Sequence, residues 1–226
     1  MLKTKEPDAL PAAVADQIAA LALTPGRPLL IVDADEVLFY FMRGLERFLE
    51  SRKLYFDWQS YALHGNIRRR LDDSVVLAEE LHLLLQRFFA DATEDMEPVD
   101  GAAAALERLR DRMQVVVLSN VPALARQARE RALARHGMPY PLIANSGSKG
   151  PAVSALLRRV PGPAIFIDDI PHNHTSVARL APEVHRLHFV ADHRLAALLG
   201  PAPDCHHRVA SWAEIHDHVS ALLVGT

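Results

Sequence analysis

Three short runs of consecutive apolar residues punctuate the chain, and each stops at polar side chains. They are residues 28–32 before Asp33, residues 114–118 before Ser119 and Asn120, and residues 163–167 before Asp168 and Asp169. Unbroken apolar runs of this length suit strands buried on both faces of a parallel sheet. Residues 184–190 and 207–210 are weaker strand candidates. Between them, apolar positions recur at helical spacing over residues 11–23, 101–112, 122–136, 151–159, 174–180, 192–199 and 213–223. Asp100 is the expected N-cap of the second of these helices, and Gly137 closes the third. Strand and helix in alternation predict βαβ units and a Rossmann-like, doubly wound α/β sheet.

Residues 41–97 interrupt the alternation. Phe41, Leu45, Phe48 and Leu49 form one amphipathic stripe, and Leu77, Leu81, Leu84 and Phe88 form another, with Ser74 as the expected N-cap. The segment carries no strand signal. It predicts a small helical domain inserted after the first strand, with residues 1–40 and 98–226 forming the sheet-containing core. The aromatic residues Phe41, Phe48, Phe88 and Phe89 read as the insert's own core.

Composition narrows the function classes. Of 226 residues, 50% are hydrophobic and 23% charged, and 25 basic against 28 acidic side chains leave a formal charge of −3. This is a globular balance, and it disfavours a general nucleic-acid binder. One cysteine excludes disulfides within the chain and thiolate-rich zinc sites. The mixed charges of residues 3–8 do not read as a secretory signal, and no apolar stretch is long enough to span a membrane, so a cytoplasmic location is expected.

The strand-end polar residues carry the chemistry. In open α/β sheets ligands bind beyond the carboxyl ends of the strands, where the strand order reverses. Asp33, Asp35, Asp168 and Asp169 converging there would repel one another, by about 4 kcal/mol for a pair 4 Å apart at an effective dielectric near 20. A divalent cation relieves that repulsion, and an all-oxygen set suits Mg²⁺. Ser119 adds a hydroxyl and Lys149 an ammonium, the donors that phosphoryl transfer needs beside a carboxylate nucleophile and a proton shuttle.

The order Ile31-Val32-Asp33-Ala34-Asp35, Leu118-Ser119-Asn120, Lys149, Phe166-Ile167-Asp168-Asp169 resembles the four motifs of the haloacid dehalogenase superfamily. The resemblance spans nearly the whole chain, and residues 41–97 fall where that family carries a C1-type cap. It implies a Mg²⁺-dependent phosphohydrolase that acts on a small phosphorylated metabolite through an aspartyl-phosphate. Asp33 would be the nucleophile, and Asp35 the acid and base, its carbonyl on the metal. Ser119 and Asn120 would hold the phosphoryl group. Lys149 would bridge nucleophile and phosphate, and Asp169 would bind Mg²⁺ with Asp168 as a ligand or support. A phosphotransferase, a phosphonate-cleaving enzyme and a non-catalytic binding protein on the same scaffold are the alternatives. Neither a nucleic acid nor a membrane is an expected partner.

One position departs from the family pattern: Glu36 stands where glycine commonly follows the second aspartate, which places an extra carboxylate near the entrance. Other features read as ordinary surface or packing. Residues 147–150 lack the frame of a nucleotide P-loop. His172 and His174 read as loop histidines lining the crevice. His206, His207, His216 and His218 read as solvated faces or strand ends. Arg68, Arg69 and Arg70 read as an exposed helix face with a possible anion contact, and Arg126, Arg129 and Arg135 as the outer cover of a helix.

Overall fold

The computed structural model describes residues 9–223; residues 3–8, read above for a leader, lie outside them. Six parallel strands form the central sheet: β1 (Leu29–Val32), β4 (Gln114–Ser119), β5 (Leu142–Ala144), β6 (Ala164–Asp168), β7 (His185–Phe189) and β8 (His207–Val209), in the order β5-β4-β1-β6-β7-β8. The first strand sits at the centre, with Val32 level with Val117 on one side and Ile167 on the other. The chain therefore runs outward from β1 through β4 to β5 and then crosses back over β1 to β6, and the crevice of a doubly wound sheet opens at the carboxyl ends where the winding reverses.

Every residue of β1 is buried, and its side chains alternate between two cores. Leu29 and Ile31 pack with Val14 and Ile18 of α1 (Ala12–Ala20) and with Val153, Leu156 and Leu157 of α6 (Gly150–Arg159). Leu30 and Val32 join the larger core, with Leu106 and Leu109 of α4 (Ala102–Leu109), Leu133 of α5 (Arg126–Arg135) and Trp212 and Ile215 of α9 (Trp212–Leu222). Helices α7 (Pro171–Leu180) and α8 (His193–Leu198) complete the alternation, the latter capped by Asp192, whose carboxylate accepts from the Arg194 and Leu195 amides. No helix among the described residues is long and apolar enough to cross a membrane.

Several expectations need correction. Strand β5 leaves no signal in the sequence, because Leu142, Ile143 and Ala144 are too few to stand out beside the flanking prolines. Helix α4 starts after Gly101, whose φ of 81° suits glycine, and Asp100 does not cap it. The segment between β1 and β4 is not wholly helical. Besides α2 (Phe41–Glu50) and α3 (Ala78–Ala92) it contains an antiparallel hairpin of β2 (Leu54–Phe56) and β3 (Ile67–Arg69). Leu54 and Phe56 of β2 and only Ile67 of β3 are buried, and each strand is three residues long, so neither leaves a run to read. Ser74 does not cap α3 but bonds Asp72 in a turn, and Leu77, at the cap position, is exposed. Arg68 and Arg69 lie in β3, not on a helix. Arg68 pairs with Asp57, Arg69 with Glu80 and Arg70 with Glu50, so nearby carboxylates occupy them. The aromatic stripe does form the insert's core: Phe88 meets Phe41 and Phe48 edge to face, with ring centroids 5.3 Å apart in each pair.

Candidate active site

The peptide chain delivers Asp33 directly from the end of β1, and Asp168 and Asp169 from the end of β6. Lys149 sits immediately before α6, and its ammonium lies between two of those acids, 2.5 Å from Asp33 and 2.7 Å from Asp168. All four side chains are at least nine-tenths buried. Carboxylate oxygens of Asp33, Asp168 and Asp169 gather within 4.8 Å of one another. Three carboxylates against one ammonium leave an excess of negative charge where water cannot screen it. Burial accordingly pushes Asp33 up to about 7 against the pull of Lys149, with Asp168 and Asp35 adding to the rise. Asp169 is also raised well above the ordinary carboxylate range, by burial and then by Asp168 and Asp33. Burial alone would lower the Lys149 pKa, but Asp168 and Asp33 more than reverse it.

The two adjacent aspartates have different surroundings. Asp168 accepts from Lys149 through Oδ2, and from the Ile170 amide and Asn173 Nδ2, both at 2.9 Å, through Oδ1. Both its oxygens are taken. Asp169 instead lines the open cleft, a space of about 240 Å³ whose walls include Asp33, Asp35, Asn120, Lys149 and, from the insert, Phe41 and Phe89. Thus two aromatic residues of the insert's core also form a wall of the cleft.

Asp35 is brought to the same cleft, but its carboxylate turns to Arg129 of α5, 2.5 Å away. Arg129 is fully buried, lies over the Phe39 ring, and leaves Nε and Nη1 without a partner among the described residues. The expectation that it covers an outer helix face is therefore wrong. Arg126 and Arg135 do lie on the surface, in ion pairs with Glu130 and Asp95. The polar face of α5, with four arginines in ten residues, masks which of them turns inward.

Asn120 reaches the cleft, whereas Ser119 is buried beneath it, its hydroxyl accepting from the Val121 amide at 3.2 Å. A residue that the sequence does not single out connects this turn to the lysine. Asn145, just past β5, donates to Asn120 Oδ1 at 2.8 Å and to the Gly147 carbonyl at 3.2 Å, and Asn120 donates to that same carbonyl at 3.0 Å. Gly150 also bears on the lysine's position. A Cβ there would stand 2.4 Å from the Ser176 carbonyl oxygen of α7, so only glycine lets α6 begin this close and aim Lys149 inward.

Glu36 does reach the cleft wall, but both its carboxylate oxygens are turned to backbone amides. It adopts φ 57°, the left-handed geometry that glycine would take, and is almost wholly buried. Its oxygens accept from the Met42 amide at 2.7 Å and the Asp192 amide at 2.8 Å, tying the start of α2 to the cap of α8. Burial raises its pKa to about 7 despite those two bonds. The left-handed backbone costs about 1–2 kcal/mol, and two buried hydrogen bonds at about 1 kcal/mol each offset it.

The histidines after the acidic pair also differ from expectation. His172 is exposed, but His174 is buried in α7 with Nε2 3.0 Å from the Asp168 carbonyl. His188 does the same for Asp169: its Nδ1 accepts from the Ala202 amide, so Nε2 carries the proton and donates to the Asp169 carbonyl at 2.9 Å. Two imidazoles, neither lining the cleft, thus hold the backbone of both aspartates.

No protein-family profile and no curated protein matches the sequence. Solved structures do match the fold. A HAD family hydrolase from Deinococcus radiodurans R1, with bound phosphate and sodium, superposes with a TM-score of 0.56 at 20% identity, over 88% of this chain and 97% of that one. YfnB of Bacillus subtilis, solved bound to magnesium, gives 0.59 at 12% identity over 87% and 99%. The L-2-haloacid dehalogenase PA0810 gives 0.55 at 11% over 86% and 100%. The chain has the fold of the haloacid dehalogenase-like hydrolases.

Proposed function

We propose that this chain is a Mg²⁺-dependent phosphohydrolase that takes a small phosphorylated metabolite through an aspartyl-phosphate on Asp33. The observation that carries the reading is the buried Lys149 ammonium between Asp33 and Asp168, beside Asp169 in the wall of a cleft. Phosphate and magnesium bound to two proteins of the same fold support it.

The donor set fits a hard cation: oxygen ligands only, and more negative charge than Lys149 offsets. Asp33, the Asp35 carbonyl and Asp169 would hold it, while Asp168, whose two oxygens already accept three hydrogen bonds, would anchor the lysine and support the ion from the second rank or as a further ligand. The ion would supply charge neutralisation at the phosphoryl oxygens. The remaining work belongs to the protein's own groups. Asp33 attacks phosphorus through a carboxylate oxygen as the ester P–O bond breaks, and the leaving oxygen takes a proton from Asp35. Asp35 then accepts a proton from the water that attacks phosphorus and frees Asp33. Lys149 and Asn120 hold the phosphoryl group in line, and Ser119 supports that turn from beneath. Phe41 and Phe89 close the cleft from the cap and limit water.

Asp33→Asn removes the nucleophile without changing its shape. Phosphate release from a panel of phosphorylated metabolites should fall by at least about 10⁴-fold. Turnover by the purified variant at the wild-type rate would end the reading.

A further inference from the structure

The opposite end of the sheet carries a second cluster of ligating side chains. His185 opens β7, His207 opens β8, and His218 lies on α9. Because Leu187 is level with His207 in the parallel register, His185 and His207 stand on the same sheet face, two residues apart along it. Helix α9 packs on that face through Ile215 and Val219, and His218 lies beside them at helical spacing, at the margin of the apolar contact. One ring nitrogen from each of the three histidines lies within 4.8 Å of the others. Nε2 of His185 and Nε2 of His218 are 3.1 Å apart. Two nitrogens on one tetrahedral zinc, each at about 2.05 Å, are separated by about 3.3 Å.

We propose that His185, His207 and His218 form a binding site for a late first-row divalent ion, Zn²⁺ foremost, that clips the edge strand β8 and the last helix α9 to β7. Imidazole nitrogen suits Zn²⁺, whereas Mg²⁺ and Ca²⁺ seek oxygen, so this end and the carboxylate end select different ions. Metal ligands must be unprotonated. Burial and the neighbouring His206, His218 and His207 hold His185 down to about 4, and burial and His207 lower His218, so both are neutral at pH 7. His206 is not a ligand: its Nδ1 accepts the Arg186 amide at 3.0 Å. His216 pairs with Asp217 instead. A hydrogen bond between His185 and His218 would account for two of the three rings without a metal; His207, exposed at the sheet edge, meets His218 only ring to ring, 4.3 Å between centroids. Three protein ligands leave a fourth position for water.

The test uses the full chain, stripped by chelator and kept in millimolar Mg²⁺. Zn²⁺ is titrated against a chromophoric competitor, and melting is followed in parallel. At Zn²⁺ about one hundred times its Kd, Tm should rise by about 5–10 °C. His207→Ala should weaken Zn²⁺ about a hundredfold and abolish the rise, and His218→Ala should do the same, with circular dichroism confirming that both fold. Asp169→Asn should alter neither quantity. The absence of a rise in the wild type, unchanged affinity in His207→Ala, or loss in Asp169→Asn alone would each overturn the site. None of these outcomes depends on phosphate release, so the reading of the carboxylate end stands or falls separately.

Discussion

The two ends of the sheet collect ligating groups by opposite physical routes. At the carboxyl ends, three acids and a lysine are buried together, so their charges must be compensated within a few ångströms. At the amino ends of β7 and β8, three imidazoles meet partly open to water, with His185 and His218 held below the ordinary histidine range chiefly by burial, and nothing forces a partner on them. Buried charge is expensive and leaves an architecture around itself: an Asp168 that accepts from three donors, an asparagine bridge, a glycine contact and two histidines propping carbonyls. Imidazoles at a half-open edge demand little, and among the described residues the cluster shows ring contacts and one hydrogen bond.

The contrast is tested most severely by Lys149→Met. Truncating one member of a buried ionic cluster strands the others, at a cost of about 3–5 kcal/mol. The expected result is a large fall in the urea midpoint at neutral pH, partly recovered on acidification, because Asp33 and Asp169 are already poised to take protons. His207→Ala without metal should leave the midpoint unchanged. Equal effects at the two ends would break the comparison.

A smaller effect separates two histidines of the same strand, His185 and His188, which both hold a pKa of about 4 against an ordinary 6.5. For each, the unfolded chain binds a proton first as pH falls, so stability present above pH 6.5 is lost progressively towards pH 4. His188 is wholly buried with both nitrogens engaged, and the loss it causes should be about 3 kcal/mol. His185 is partly solvated, and screening should reduce its share to less than about 1 kcal/mol. Other groups titrate in the same range, so the measurement is the difference between wild type and each His→Gln variant at pH 7 and pH 5. His188→Gln should flatten the acid limb far more than His185→Gln.

The same contrast explains what could be read in the sequence. Asp33, Ser119, Asp168 and Asp169 are visible because each terminates an apolar run, and a buried strand that ends in a polar side chain delivers it to the rim of the sheet. The sheet follows from those runs, except for β5, whose three residues carry too little pattern. The partners that steady the site are not visible. Arg129 is one of several arginines on a polar helix, and its inward turn depends on where Asp35 and Phe39 lie. His188 alternates with apolar residues on β7, and only the buried carbonyl of Asp169 gives it a task. His185, His207 and His218 come from two strands and a helix, so no local spacing could unite them. The hairpin of the insert is hidden for a related reason, since Leu54, Phe56 and Ile67 are its only buried strand positions and its segments are too short to show a period.

Arg129 supplies the finest test, because it should separate activity from stability. The guanidinium holds the Asp35 carboxylate at 2.5 Å but leaves two of its own buried nitrogens unpartnered, each a desolvation cost. Methionine has similar length and no such cost, and it would meet Met96, whose sulfur already lies 3.4 Å from the Arg129 side chain. Asp35 keeps some contact with water, so losing its partner does not strand a fully buried charge. Arg129→Met should therefore leave Tm within a few degrees of wild type or above it. If Asp35 moves protons, kcat should fall about 10- to 100-fold while KM for the phosphorylated substrate barely changes, since Arg129 does not line the cleft. A rise in KM at constant kcat would instead make Arg129 part of substrate binding, and an unchanged kcat would free Asp35 from any dependence on it.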